Sequence, residues 1–153
     1  MRRALGWGGV LLFVAATLGA CAGMGRETST STTPSLYRRL GGREGIALVV
    51  GDFTANMAAD PRVNDRFKGM KPPEVEKFKS NLADQICETA GGPCSYLGKD
   101  MKTTHAGMKI SEAEWNATVE NLVKALDKHK VDAKSKQDLL GALGSMKGDI
   151  VGR

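Results

Sequence analysis

The sequence predicts an all-α fold, and three observations carry that reading. Apolar residues recur at spacings of three and four along four separate stretches, the period of a helix that buries one face. Glycine, proline and small polar residues stand where those helices would start and stop, as their backbone preferences require. Alternating apolar and polar runs long enough for a strand are missing.

Taken in order, Ser35 can cap a short first helix that Gly41-Gly42 ends, because glycine tolerates the left-handed turn. Ile46, Val49, Val50, Phe53 and Met57 then form the buried stripe of a second helix. Asp60-Pro61 reads as a cap followed by a first-turn proline, which predicts a brief third helix carrying Val63 toward Phe67. The next row is Val75, Phe78, Leu82 and Ile86, and Gly91-Gly92-Pro93 stops it. The stretch from there to Lys99 should be loop.

Two cysteines bracket that stop. Cys87 and Cys94 lie seven residues apart across the turn, a spacing that suggests a disulfide if the compartment is oxidising. A loop this short would stabilise the fold by roughly 2–3 kcal/mol. The alternative is a pair of independent thiols. No Cys-x-x-Cys-His motif points to covalent haem attachment, and neither cysteine has the neighbours of a zinc site.

Further on, Ser111-Glu112-Ala113-Glu114 is a capping box, with Ile110 and Trp115 placed as its hydrophobic staple. Trp115, Val119, Leu122, Val123 and Leu126 give that helix its buried face. Lys128-His129-Lys130 is a charged exit where His129 should sit solvated. A last helix is expected from Asp132 to about Ile150, burying Leu139, Leu143, Met146 and Ile150. Gly141, Gly144 and Gly148 weaken it, so packing must hold it.

The front of the chain has a different composition. In residues 1–20, Arg2 and Arg3 precede an apolar core from Leu5 to Leu18 that is interrupted by glycine. This is the pattern of an export signal and is short for a membrane span. It ends in Leu18-Gly19-Ala20-Cys21, which resembles a bacterial lipobox. The expectation is therefore a lipidated Cys21 on the periplasmic face of a membrane, with Ala22 favouring the outer membrane where the cell has one. An ordinary secretory signal with an incidental cysteine is the alternative. Residues 21–34 are rich in Gly, Ser and Thr and read as a flexible tether, leaving 35–153 as the folded domain.

Charge and composition narrow the function. Loss of Arg2 and Arg3 with the signal lowers the formal charge from +5 to +3. So small an excess, interspersed with acidic residues and few aromatics, argues against a nucleic-acid partner. The informative stretch is Met101 to Ile110, which holds one of only two histidines. In a short helix, Met101, His105 and Met108 share one face, and Gly107 breaks the run. A histidine among apolar residues is often a hydrogen-bonded core residue. Flanked by amphipathic helices, it can also be the ligand of a flat iron cofactor.

Ser35-Leu36-Tyr37-Arg38-Arg39-Leu40-Gly41-Gly42, Asp52-Phe53, Ala59-Asp60-Pro61-Arg62-Val63, Phe67, Gly91-Gly92-Pro93, Tyr96-Leu97-Gly98 and the His105 stretch occur in order and at suitable spacing. Together they resemble a group I truncated haemoglobin from residue 35 to the end. The resemblance implies a 2-on-2 helical sandwich around a b-type haem (iron protoporphyrin IX), with His105 as the proximal iron ligand. It places Phe67 and Phe53 against the haem on the distal side, and Phe78 and Leu82 over the iron. Gln85 and Ile86 follow one turn on, and Met101, Met108 and Trp115 complete the set of contacts.

The chain departs from the family pattern where a tyrosine usually hydrogen-bonds oxygen, because that position is Thr54. Positions that commonly carry glutamine fall on apolar residues, so Gln85 is the remaining candidate donor. A distal donor to the partial negative charge on oxygen is worth roughly 1–3 kcal/mol. Its loss predicts an apolar distal pocket favouring CO or NO over O2. A distal histidine is excluded, while Lys77, Lys79 or a methionine could in principle approach. Two function classes follow: a haem protein that reversibly binds a diatomic gas (O2, NO or CO), or a haem lipoprotein used for haem transfer or electron exchange. NO detoxification would need a periplasmic electron donor.

Overall fold

Residues 33–153 are described by the structure, a computed structural model. The expected signal, Cys21 and the tether as far as residue 32 lie outside the described residues. Among the described residues there are six α-helices: α1 (Leu36–Arg39), α2 (Gly42–Ala59), α3 (Pro72–Thr89), α4 (Met101–Thr104), α5 (Glu112–Lys128) and α6 (Ala133–Gly144). Single turns of 3-10 helix stand at Asn64–Arg66 and Lys147–Asp149. Among the described residues there is no strand, only an isolated bridge between Ile110 and Val151.

The ends of these helices follow from local chemistry. Ser35 accepts a hydrogen bond from the Arg38 N–H at 3.4 Å, and Gly41 turns the chain at φ +83° into α2. Pro72 opens α3, where its missing N–H costs nothing, and the Glu74 carboxylate accepts from the Lys71 N–H at 2.7 Å. Ser111 and Glu114 close the capping box of α5, Ser111 N–H to carboxylate at 2.9 Å and Glu114 N–H to hydroxyl at 3.2 Å.

Packing converts the apolar stripes into two layers. α2 packs against both α3 and α5, and α6 closes on α1 and α5. Ile46, Val49, Val50, Phe53 and Met57 of α2 are all buried, as the stripe predicts, and Ile86, Leu122, Leu126 and Leu139 meet them in the same core. Each such aliphatic side chain contributes roughly 1.5–3 kcal/mol by leaving water. Val75, Phe78 and Leu82 of α3 are only half-buried, since Phe78 and Leu82 border the cavity described below.

Three expectations are corrected. The brief third helix is a 3-10 turn, because the Asp60 carboxylate ties back to its own neighbour Arg62 and shapes a tight turn first. The last helix stops at Gly144 and resumes only as a 3-10 turn, where the closely spaced glycines remove side-chain support. His129 is not simply solvated: its Nε2 donates to Asp52 at 2.7 Å, alongside Lys128. Lys128 first and then His129 hold the Asp52 carboxyl below its usual range.

Cys87 and Cys94 are joined, with their Cα atoms 5.8 Å apart. Gly92 lies inside this loop, and a Cβ there would stand 2.5 Å from the Tyr37 ring and 2.7 Å from Cys87 Sγ. The turn can close this tightly because residue 92 has no side chain.

Candidate functional site

The half-buried apolar side chains converge on one cavity of about 310 Å³. Phe53 and Met57 of α2 line it, with Phe78, Leu82, Gln85 and Ile86 of α3. Phe67 adds its ring, set edge-on to Phe78 with centroids 5.4 Å apart. α4 contributes Met101, its C-cap is His105, and Met108 follows in the turn after it. Trp115, Val119 and Leu122 of α5 and Met146 beyond α6 complete the enclosure.

His105 caps the C-terminus of α4, and its Nδ1 lies 2.8 Å from the Met101 carbonyl. A carbonyl can only accept, so Nδ1 carries a proton, and in the neutral ring Nε2 is the nitrogen with the lone pair. This backbone bond orients the ring in the way that second partners orient metal-binding histidines. Among the described residues no cluster of three or more His, Cys, Asp or Glu is arranged for a bare metal ion. One imidazole nitrogen in an apolar slot instead suits an iron already held by a flat macrocycle. The donor and the lining fit such a group.

A polar corner sits where Arg66 meets the wall. Its Nη1 donates to the Met108 carbonyl at 2.9 Å and its Nε to the Glu114 carboxylate at 2.8 Å. The Ser111 backbone N–H, and after it Arg66, hold the Glu114 carboxyl below its ordinary range.

Of the haem contacts singled out in the sequence, Phe53, Phe67, Phe78, Leu82, Ile86, Met101, His105, Met108 and Trp115 line the cavity. Thr54 does not. It is buried in the core, and its hydroxyl donates to the Val50 carbonyl at 2.7 Å, the partner one helical turn back that a threonine in a helix readily finds. Gln85 does line the cavity, but its amide is turned to the sulfurs of Met101 at 3.2 Å and Met146 at 3.5 Å. That direction is toward α4. Lys77 and Lys79 are absent from the lining, and Lys79 pairs with Glu76. Sequence reasoning missed Asn81, Met146 and Arg66 among the lining residues. Met146 belonged to the apolar row of the last helix, whereas nothing local marked Arg66.

Fold and site together define an all-α protein of the 2-on-2 type, with an apolar slot fronted by one oriented histidine. Residues 35–151 match the bacterial-like globin family, and the chain belongs to that family. A group 1 truncated hemoglobin GlbN of Mycolicibacterium paratuberculosis is 28% identical over 116 residues, covering 76% of this chain and 83% of the relative. A group 1 truncated hemoglobin of Tetrahymena thermophila is 31% identical over 93 residues, with 61% of this chain and 74% of the relative covered. Among solved structures, the Fe(III) form of truncated hemoglobin from Tetrahymena pyriformis superposes with a TM-score of 0.73 at 26% identity, over 78% of this chain and 100% of that one. The 2/2 hemoglobin from Synechococcus, solved in the cyanomet state with covalently attached heme, gives 0.70 at 27% identity, again over 78% and 100%.

Proposed function

We propose that this globin holds a b-type haem with His105 as its proximal ligand and takes a diatomic gas there. The observation that carries the proposal is the His105 Nδ1 bond to the Met101 carbonyl at the edge of an apolar cavity. It leaves one nitrogen lone pair directed by the fold and otherwise unused. Haem, when bound, supplies an iron atom with a position open to a small gas. The chain does the rest. Phe53, Phe67 and Phe78 line the slot with carbon and exclude water, while Met101 and Trp115 close it from other elements.

The gas preference follows from which polar groups are already committed. Thr54 is bound to Val50, and Gln85 to two methionine sulfurs. Phe78 lies seven residues before Gln85, about 10 Å along the helix axis. That part of the wall is largely Phe53, Met57, Phe67, Phe78 and Leu82, which donate nothing, with the Asn81 amide set among them on α3. A site of this kind favours CO and NO, which gain little from a donor, and releases O2 quickly. Efficient oxidation of NO by retained oxygen is correspondingly disfavoured.

Absorption spectra of the full-length chain with added haem, wild type against His105→Ala, test the reading. A Soret band that is lost or strongly shifted in the variant supports ligation, and a folded wild type without a haem spectrum overturns it. The export reading also stands as a proposal, supported by Leu18-Gly19-Ala20-Cys21. Cys21→Ser should move the protein out of the membrane fraction, and unchanged retention contradicts lipidation.

A further inference from the structure

The position of His105 depends on α4, and α4 is a single turn. Its internal bonds, Thr104 N–H to the Asp100 carbonyl at 2.9 Å and His105 N–H to Met101 at 3.0 Å, shape the turn without placing it in the molecule. The Asp100 carboxylate caps Thr103, and the Tyr96 hydroxyl donates to Lys99, again within the segment. Ties to the body exist on either side. Arg43 and the disulfide hold Cys94, while Arg66 reaches the Met108 carbonyl. Between residues 95 and 107, among the described residues, one hydrogen bond reaches another element: Gln85 Nε2 to Met101 Sδ at 3.2 Å.

We infer that Gln85 is a positioning residue for His105, acting through Met101. The same Met101 supplies the sulfur that Gln85 holds and the carbonyl that orients the imidazole. Gln85 sits on α3, whose buried end is anchored in the core by Ile86 and Cys87. The amide therefore transmits the position of a long rigid helix to a short one. It also reaches Met146 at 3.5 Å, so the chain beyond α6 is drawn to the same point. The presence of a glutamine at this point of the lining is thus explained by what it holds. The inference rests on His105 as the axial ligand for its functional meaning. The mechanical link can be tested without haem.

The experiment compares amide hydrogen exchange at Thr104 and His105 in the full chain, before and after haem addition, for wild type, Gln85→Leu, Met101→Leu and the double variant. Leucine keeps apolar bulk and removes the amide. Exchange at these two amides should quicken roughly 3- to 10-fold in Gln85→Leu, the factor that one net hydrogen bond provides, while α5 amides stay unchanged. The double variant should exchange no faster than the faster single one, since both remove the same link. In the haem-loaded protein, the iron–histidine stretching band should shift or broaden in Gln85→Leu. Exchange within twofold of wild type, additive effects, or quickening that spreads through α5 would overturn the positioning role. A wild type without an iron–histidine band would instead overturn the reading of His105 as ligand.

Discussion

Replacing Leu82 by glutamine should slow the release of oxygen from the pocket. Leu82 lines the cavity one helical turn before Gln85, on the α3 face shared with Phe78, and Thr54 is turned away from it into the core. Leucine and glutamine have similar volume, so the substitution adds an amide without demanding space. A hydrogen bond to a group bearing charge nets about 1.5–3 kcal/mol. At about 1.4 kcal/mol per factor of ten, O2 dissociation should slow roughly 10- to 150-fold. CO carries little charge and should respond by less than about threefold. The assay is stopped-flow displacement of O2 by CO in the ferrous protein, followed in the Soret band. An O2 rate within twofold of wild type would refute the claim that a donor at position 82 reaches the bound gas. Equal slowing of O2 and CO would show crowding in place of hydrogen bonding.

Replacing both Cys87 and Cys94 by serine opens the short loop behind α3 and should cost roughly 2–3 kcal/mol. A calorimetric Tm lower by about 5–15 °C is the expected result, and an unchanged Tm means the bridge constrains nothing. Acid should loosen the Arg66–Glu114 corner. The Glu114 carboxyl titrates below its unfolded value, so its contribution is present above about pH 4.3 and is lost as pH falls through the lower folded value. Glu114→Gln should flatten that part of the Tm-against-pH curve, and a curve identical to wild type would remove Glu114 from the account.

How far the site could be read from the sequence differs residue by residue. The stripe Ile46 to Met57 and the Ser111–Glu114 box depend on near neighbours, and both formed where their spacing placed them. His105 was marked by its motif, and its apolar companions at helical spacing came with it. Thr54 was misplaced because alignment identifies a position while χ1 decides where a hydroxyl points, and the Val50 carbonyl one turn back was the nearer acceptor. Gln85 illustrates the same limit. Its position on α3 was plain, but its orientation toward Met101 and Met146 needed sulfurs that lie 16 and 61 residues further along the chain.

Sequence by itself determined the helices, their caps, the apolar faces and the family, because each rests on periodicity or on bonds between residues a few positions apart. Tertiary structure alone decided the pairing of His129 with Asp52, the Arg66 corner and the direction of the Gln85 amide at the cavity. Those features join elements distant in the chain. Their geometry is set by how the helices pack, and no local pattern records it.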